Sequence, residues 1–119
     1  MRFIAESGYS VKLGQDEAHQ QWLEQNEAAI AASVPDGVRY LGTFVTVHSS
    51  EKRSGFYKTY FELDSYGAQD RMAAANKEAT SEFGRLTREL SAFVDYDYAA
   101  PWSDGLYKAV VDASIFDIG

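Results

Sequence analysis

The sequence predicts one α+β domain in which two helices cover a four-stranded antiparallel sheet, and three observations point there. Period-two alternation marks four stretches, helical stripes occupy two others, and the order along the chain is β-α-β-β-α-β. The third observation is a surplus, because the strands carry more apolar surface than two helices can cover. The 119 residues are near the commonest size for a single domain, and 45% hydrophobic with 24% charged residues is the balance of a globular protein. Glycine and proline are scattered, with no linker, repeat or low-complexity tract, so residues 1–119 read as one domain.

The first strand is expected from Phe3 to Leu13, where Phe3, Ala5, Tyr9, Val11 and Leu13 share one side. The period then changes. From Asp16, a suitable N-cap, Trp22, Asn26, Ile30 and Val34 recur at helical spacing, flanked by Leu23 and Ala29. Pro35 disfavours helical geometry at Val34 and Asp36-Gly37 turns the chain, so this helix should stop near Ser33. A second strand follows from about Val38 to His48, rich in β-branched and aromatic residues. Ser49 to Gly55 reads as a hairpin loop, and a third strand runs from Phe56 to Leu63, antiparallel to the second.

Asp64-Ser65 offers a second N-cap. Met72, Ala75, Ala79, Phe83, Leu86, Leu90 and Phe93 then share a helical face, with Gly67 or the Ala73–Asn76 stretch able to kink or split the segment. Asp95 to Gly105 reads as a loop whose Tyr96, Tyr98 and Trp102 pack back onto the body, and a last strand is expected from Leu106 to about Phe116. This order gives the ferredoxin-like βαββαβ sandwich, with strands one and three in the centre of the sheet.

Strand side chains alternate between faces, which divides the sheet residues into two sets. Odd positions, among them Phe3, Val11, Leu13, Leu41, Val45, Val47, Tyr57, Phe61, Leu63, Val111 and Ile115, form the cleaner apolar set and are assigned to the helix side. Even positions mix apolar and charged groups: Ile4, Glu6, Tyr40, Phe44, Phe56, Lys58, Tyr60, Glu62, Val110, Asp112 and Phe116. Left uncovered, that face would expose several hundred Å² of apolar surface, roughly the size that marks an interface or groove. A second copy of the chain is the simplest cover, burying on the order of 800 Å² per subunit.

Composition excludes several classes. A net charge of −7 with eleven dispersed basic residues disfavours nucleic acid and anionic membranes as partners. With no cysteine there are no disulfides, thiol nucleophiles or thiolate metal sites. No phosphate-cradling glycine loop and no nucleophile elbow occurs, so no cofactor is implied. The N-terminus meets a charge too early for a signal peptide and no apolar run approaches the roughly 20 residues of a membrane span, which makes the cytoplasm the expected location.

An acidic, cysteine-free βαββαβ chain of this length, with an aromatic and partly charged free face, resembles the dimeric α+β barrel superfamily. That group includes antibiotic-biosynthesis-type monooxygenases, muconolactone isomerase-like proteins, EthD-like proteins and stress-responsive barrel proteins. The resemblance spans nearly the whole chain and implies two sheets facing across a barrel. It also implies a pocket between each sheet and its helices or in the lumen. It rests on pattern, and no local motif carries any family's catalytic residue onto this sequence.

The candidate catalytic residues are Glu62, Tyr60, His48 and Asp112, and the candidate substrate contacts are Tyr40, Phe44, Lys58, Trp22 and Asn26. Charges on a face that closes against another copy are costly unless paired or wetted, which favours a cavity holding water or a polar ligand group. Paired carboxylates of unequal burial can act as acid and base, and His48 can shuttle protons near neutral pH. The plainer readings are structural ion pairs, a strand-end His48, a surface His19, and Trp22 as core. His48 and His19 lack metal-ligand spacing, so no metal is expected.

Two functions remain open at this level. One is a small-molecule-binding protein, a cofactor-free monooxygenase or isomerase for an apolar or aromatic compound. The other is a non-catalytic homodimeric assembly module in which the same aromatics only form an interface.

Overall fold

The computed structural model describes residues 2–50, 56–97 and 102–111. Its elements are β1 (Phe3–Tyr9), α1 (Asp16–Ser33), β2 (Val38–Val45), β3 (Tyr57–Leu63), α2 (Ala68–Lys77), α3 (Glu82–Ser91) and β4 (Trp102–Lys108). The sheet is antiparallel with the order β2-β3-β1-β4, so β1 and β3 are central, as the order of elements predicts.

Helix α1 ends at Ser33, and Val34 before Pro35 adopts an extended backbone, the conformation that proline imposes on its predecessor. Asp16 is not the cap. It opens the helix after Gln15, and its carboxylate accepts a hydrogen bond from the Tyr57 hydroxyl at 2.7 Å. The second helical segment is split in two. Glu78, extended after Lys77, ends α2, and Ser81 caps α3 by accepting the Gly84 N–H at 3.1 Å. Gly84 lets α3 approach α2 closely, since a Cβ there would lie 2.9 Å from the Ala75 carbonyl oxygen.

Phe3, Ile30, Val38, Phe61, Leu63, Ala68, Phe83 and Leu86 form the core between sheet and helices. The odd-position assignment therefore holds in β1, in β3 and in the last residues of β2, and fails elsewhere. β1 stops at Tyr9, short of the expected Leu13, which lies in a turn and is fully exposed; Val11 makes only a single bridge to Val94. Val47 and Val111 lie outside the strands, and Val45 is at an edge; all three are exposed.

The largest departure is in β2. Val38 and Tyr40 pair with Leu63 and Phe61, but Gly42 pairs with Tyr60, which leaves Leu41 as an extra residue in a β-bulge. Gly42 sits there at φ +132°, a conformation that L side chains rarely adopt. The bulge changes the parity of the strand. Val38 and Tyr40 face the helices before it and Thr43 does so after it, while Phe44, opposite Lys58, turns to the free face.

β4 starts at Trp102, four residues earlier than the expected Leu106, because residues 102–105 pair with Tyr9 to Glu6. Val110 lies beyond the strand and is fully exposed. Tyr96 does not pack back onto the body but stays half exposed. Tyr98, the hairpin tip at 51–55, Asp112, Ile115 and Phe116 lie outside the described residues.

Candidate functional site

Two groups of polar side chains occupy opposite faces of the sheet. On the free face, Glu6 of β1 is the hub. Its carboxylate accepts Lys58 Nζ at 3.2 Å, the Tyr60 hydroxyl at 3.1 Å and the Tyr107 hydroxyl at 3.5 Å. Glu6 and Lys58 side chains are only 15% and 14% exposed, which makes the pair worth more than one in open water. Beside them Glu62 takes Arg39 at 3.2 Å and Arg2 at 3.7 Å. Phe44 meets Tyr60 edge-on at 5.7 Å.

The structure thus brings together four of the predicted residues, Glu62, Tyr60, Lys58 and Phe44. His48 joins their rim, sharing a shallow depression with Phe44, Lys58 and Tyr60, but it lies three residues beyond the end of β2 and is exposed. Tyr40 does not belong to this face, because the bulge has turned it to the helices.

On the helix side a cavity of about 610 Å³ lies between the sheet and all three helices. Its wall is mainly apolar, including Leu23, Ile30, Phe61, Met72, Phe83 and Leu90. Asp104 and Leu106, exposed on the edge strand β4, border its open side. Trp22 lines it and is anchored by its indole N–H donating to Glu89 at 3.0 Å. Asn26 is not a wall residue, since its amide turns back to the Trp22 carbonyl at 2.8 Å within the helix.

Six hydroxyl side chains line this cavity, Ser7, Tyr9, Tyr40, Thr43, Thr59 and Thr87, with the amides of Gln69 and Asn76 beside them. Tyr40 Oη donates to the Glu27 carboxylate at 2.8 Å and lies 2.7 Å from Thr43 Oγ1, which lies 3.0 Å from Thr59 Oγ1. The Thr59 side chain hydrogen-bonds to Tyr9, and Tyr9 Oη is 2.7 Å from His19 Nε2. A string of six side chains therefore runs from the surface carboxylate to a fully buried imidazole.

Burial pushes both the Tyr9 and Tyr40 hydroxyls well above the ordinary tyrosine value, only partly offset by Thr59 and Thr43 respectively. His19 is held below its ordinary value by burial, against the pull of Asp16. Tyr9, Thr43, Thr59, Glu27 and His19 escaped the sequence reading. For His19 a signal exists: it lies three and four residues before Trp22 and Leu23 on the same stripe, so it had to point inward. Among the described residues no three His, Asp or Glu side chains are grouped to hold a metal, and no helix is long and apolar enough to cross a membrane.

No family model matches this sequence, and no curated protein matches it. Solved structures do. An uncharacterised NIPSNAP-like domain protein from Burkholderia xenovorans is 14% identical with a TM-score of 0.64, over 95% of this chain and 88% of that one. A dimeric protein of unknown function with a ferredoxin-like fold, from Bacteroides fragilis, is 10% identical with a TM-score of 0.61, over 91% and 96%. A candidate antibiotic biosynthesis monooxygenase from Nitrosomonas europaea is 13% identical with a TM-score of 0.56, over 93% and 100%. Proteins of the dabb and EthD families superpose similarly. Identities this low speak to backbone alone, and the backbone is ferredoxin-like.

Proposed function

We propose that this protein binds a small, largely apolar molecule between its sheet and its helices, and that it works as a homodimer joined through the free sheet face. The observation that carries the first part is the cavity of about 610 Å³, within the size range of small-molecule sites and lined by apolar side chains with a few convergent hydroxyls. The dimer draws support from Phe44 and Tyr107, both about half exposed on the free face, and from the dimeric Bacteroides fragilis neighbour.

The two parts occupy different layers, so the assembly reading and the ligand reading do not compete. Glu62, Tyr60, Lys58, Phe44 and His48 then serve the seam between copies, and Trp22 and Tyr40 serve the ligand. Among the acid–base groups of the wall, Tyr9 is backed by the buried His19, and a cofactor-free isomerase or oxygenase step would draw its protons through that pair.

A neutral apolar fluorophore such as N-phenyl-1-naphthylamine tests the cavity. Its emission should rise on binding, and Leu90→Trp, which adds an indole to the wall, should weaken binding more than tenfold while the melting temperature stays within a few degrees. Unchanged affinity in that variant places the dye elsewhere and removes the proposal.

A further inference from the structure

One polar row crosses the sheet side of the cavity, and it ends in a charge at the open edge. Thr43 of β2 pairs with Thr59 of β3, Thr59 with Ser7 of β1, and Ser7 with Asp104 of β4. Each strand thus contributes one oxygen-bearing side chain at the same level of the sheet, and all four line the cavity. The row beside it, Tyr40, Phe61, Ala5 and Leu106, is apolar apart from the Tyr40 hydroxyl. Directly opposed residues hold their Cβ atoms about 5 Å apart, so neighbours in the polar row can share one ligand group.

The two ends of the row differ. At the inner end Thr59 is buried, and its Oγ1 lies 3.0 Å from Thr43 Oγ1, which in turn lies 2.7 Å from the Tyr40 hydroxyl. Those groups satisfy one another. At the open end neither the Ser7 hydroxyl nor the Asp104 carboxylate has a side-chain hydrogen bond or ion pair among the described residues.

Charge makes that difference selective. No lysine or arginine lines the cavity among the described residues. Lys108 is four residues further along β4, about 13 Å away, and is not a wall residue. The other carboxylate at the wall, Glu6, is held by Lys58, Tyr60 and Tyr107 on the opposite face of the sheet. The amides of Gln69 and Asn76 and the wall hydroxyls are dipoles without net charge. Asp104 therefore sets the sign at the mouth.

Resting on the cavity reading above, we infer that the ligand is an apolar molecule carrying a protonated primary amine, held at the mouth by Asp104 and Ser7 while its apolar body enters the cavity. An ammonium group has three donors and no acceptor. The Asp104 carboxylate accepts one of them and balances the charge, and the Ser7 hydroxyl accepts a second. A carboxylate ligand of the same shape would meet Asp104 with no cation to offset either charge. Because Asp104 is exposed, water screens the pair, and the preference is a modest one.

Calorimetric titration of the full chain at pH 7 with 1-naphthylmethylamine, 1-naphthalenemethanol and 1-naphthoic acid tests this. The amine should bind roughly three- to fivefold more tightly than the alcohol, the upper range for an exposed ion pair, and the naphthoate more weakly than the alcohol. Asp104→Asn should erase the amine's advantage and leave the alcohol within twofold. Glu24→Gln, the same loss of charge at an exposed position of α1 outside the cavity wall, should keep that advantage. Alcohol binding without an amine advantage, a naphthoate preference, an advantage that survives Asp104→Asn, or one that Glu24→Gln erases as well overturns the inference while leaving the cavity reading intact. Binding of none of the three removes both.

Discussion

Burial takes the His19 imidazole out of water and leaves its Nδ1 without a partner, and both effects disfavour the charged ring. The unfolded chain has no such restraint and gains its proton near the ordinary value of about 6.5. Because the folded value is depressed, the neutral His19 stabilises the fold fully above that pH, and the stability is lost as pH falls from there toward the folded value. Urea midpoints should therefore drop between pH 7.5 and pH 5.5, and His19→Gln should flatten that dependence. Leu86, 1% exposed and in contact with the core, should cost about 2–5 kcal/mol as alanine in the same assay. At this scale the sequence made Leu86 legible because a leucine on a helical stripe has one destination. It hid Tyr9, Thr43 and Thr59 because hydroxyl-bearing residues fit either face of a strand.

At the scale of elements, breaks and bends hold more information than lengths do. Gly42 accommodates the bulge of β2 at a positive φ, where a Cβ would also lie 3.2 Å from the Phe44 ring. Gly42→Ala should destabilise by about 1–3 kcal/mol in chemical denaturation. Gly84→Ala should destabilise too, and for a different reason: its Cβ would press on the Ala75 carbonyl and force α2 from α3. The proline after α1 announced that helix's end to the residue. Nothing comparable announced the bulge, since a lone glycine in a strand is compatible with an unbroken ladder. Tyr40 was consequently assigned to the wrong face by counting, while Phe44 was assigned correctly. β4 was displaced for a related reason: Gly105 and Asp104 look like loop residues, but pairing with β1 overrides their weak strand preference.

For the whole molecule, the unshielded sheet face is where the proposed dimer would close. Aromatic groups at Phe44 and Tyr107 are half in water beside the nearly buried Glu6–Lys58 pair, an arrangement that another copy would complete. Phe44→Glu should convert a dimer to a monomer in sedimentation velocity, whereas Tyr96→Glu, equally exposed but in the connector after α3, should leave it dimeric. The surplus of apolar strand surface was legible from composition and period alone, as was the order of elements. The cavity was legible only as a general expectation of the fold, because its walls come from all seven elements, whose side chains meet through tertiary packing.

The extra residue in β2 has a consequence for how such a protein can change. Because Leu41 alone separates the half of the strand that reads Val38 and Tyr40 inward from the half that reads Phe44 outward, loss of one codon there would rephase the two. Tyr40 or Phe44 would have to trade layers, and a group lining the cavity would become one on the free sheet face, or the reverse. Length variation at that single place, more than substitution around it, is where relatives with the same backbone would be expected to part company in what they hold.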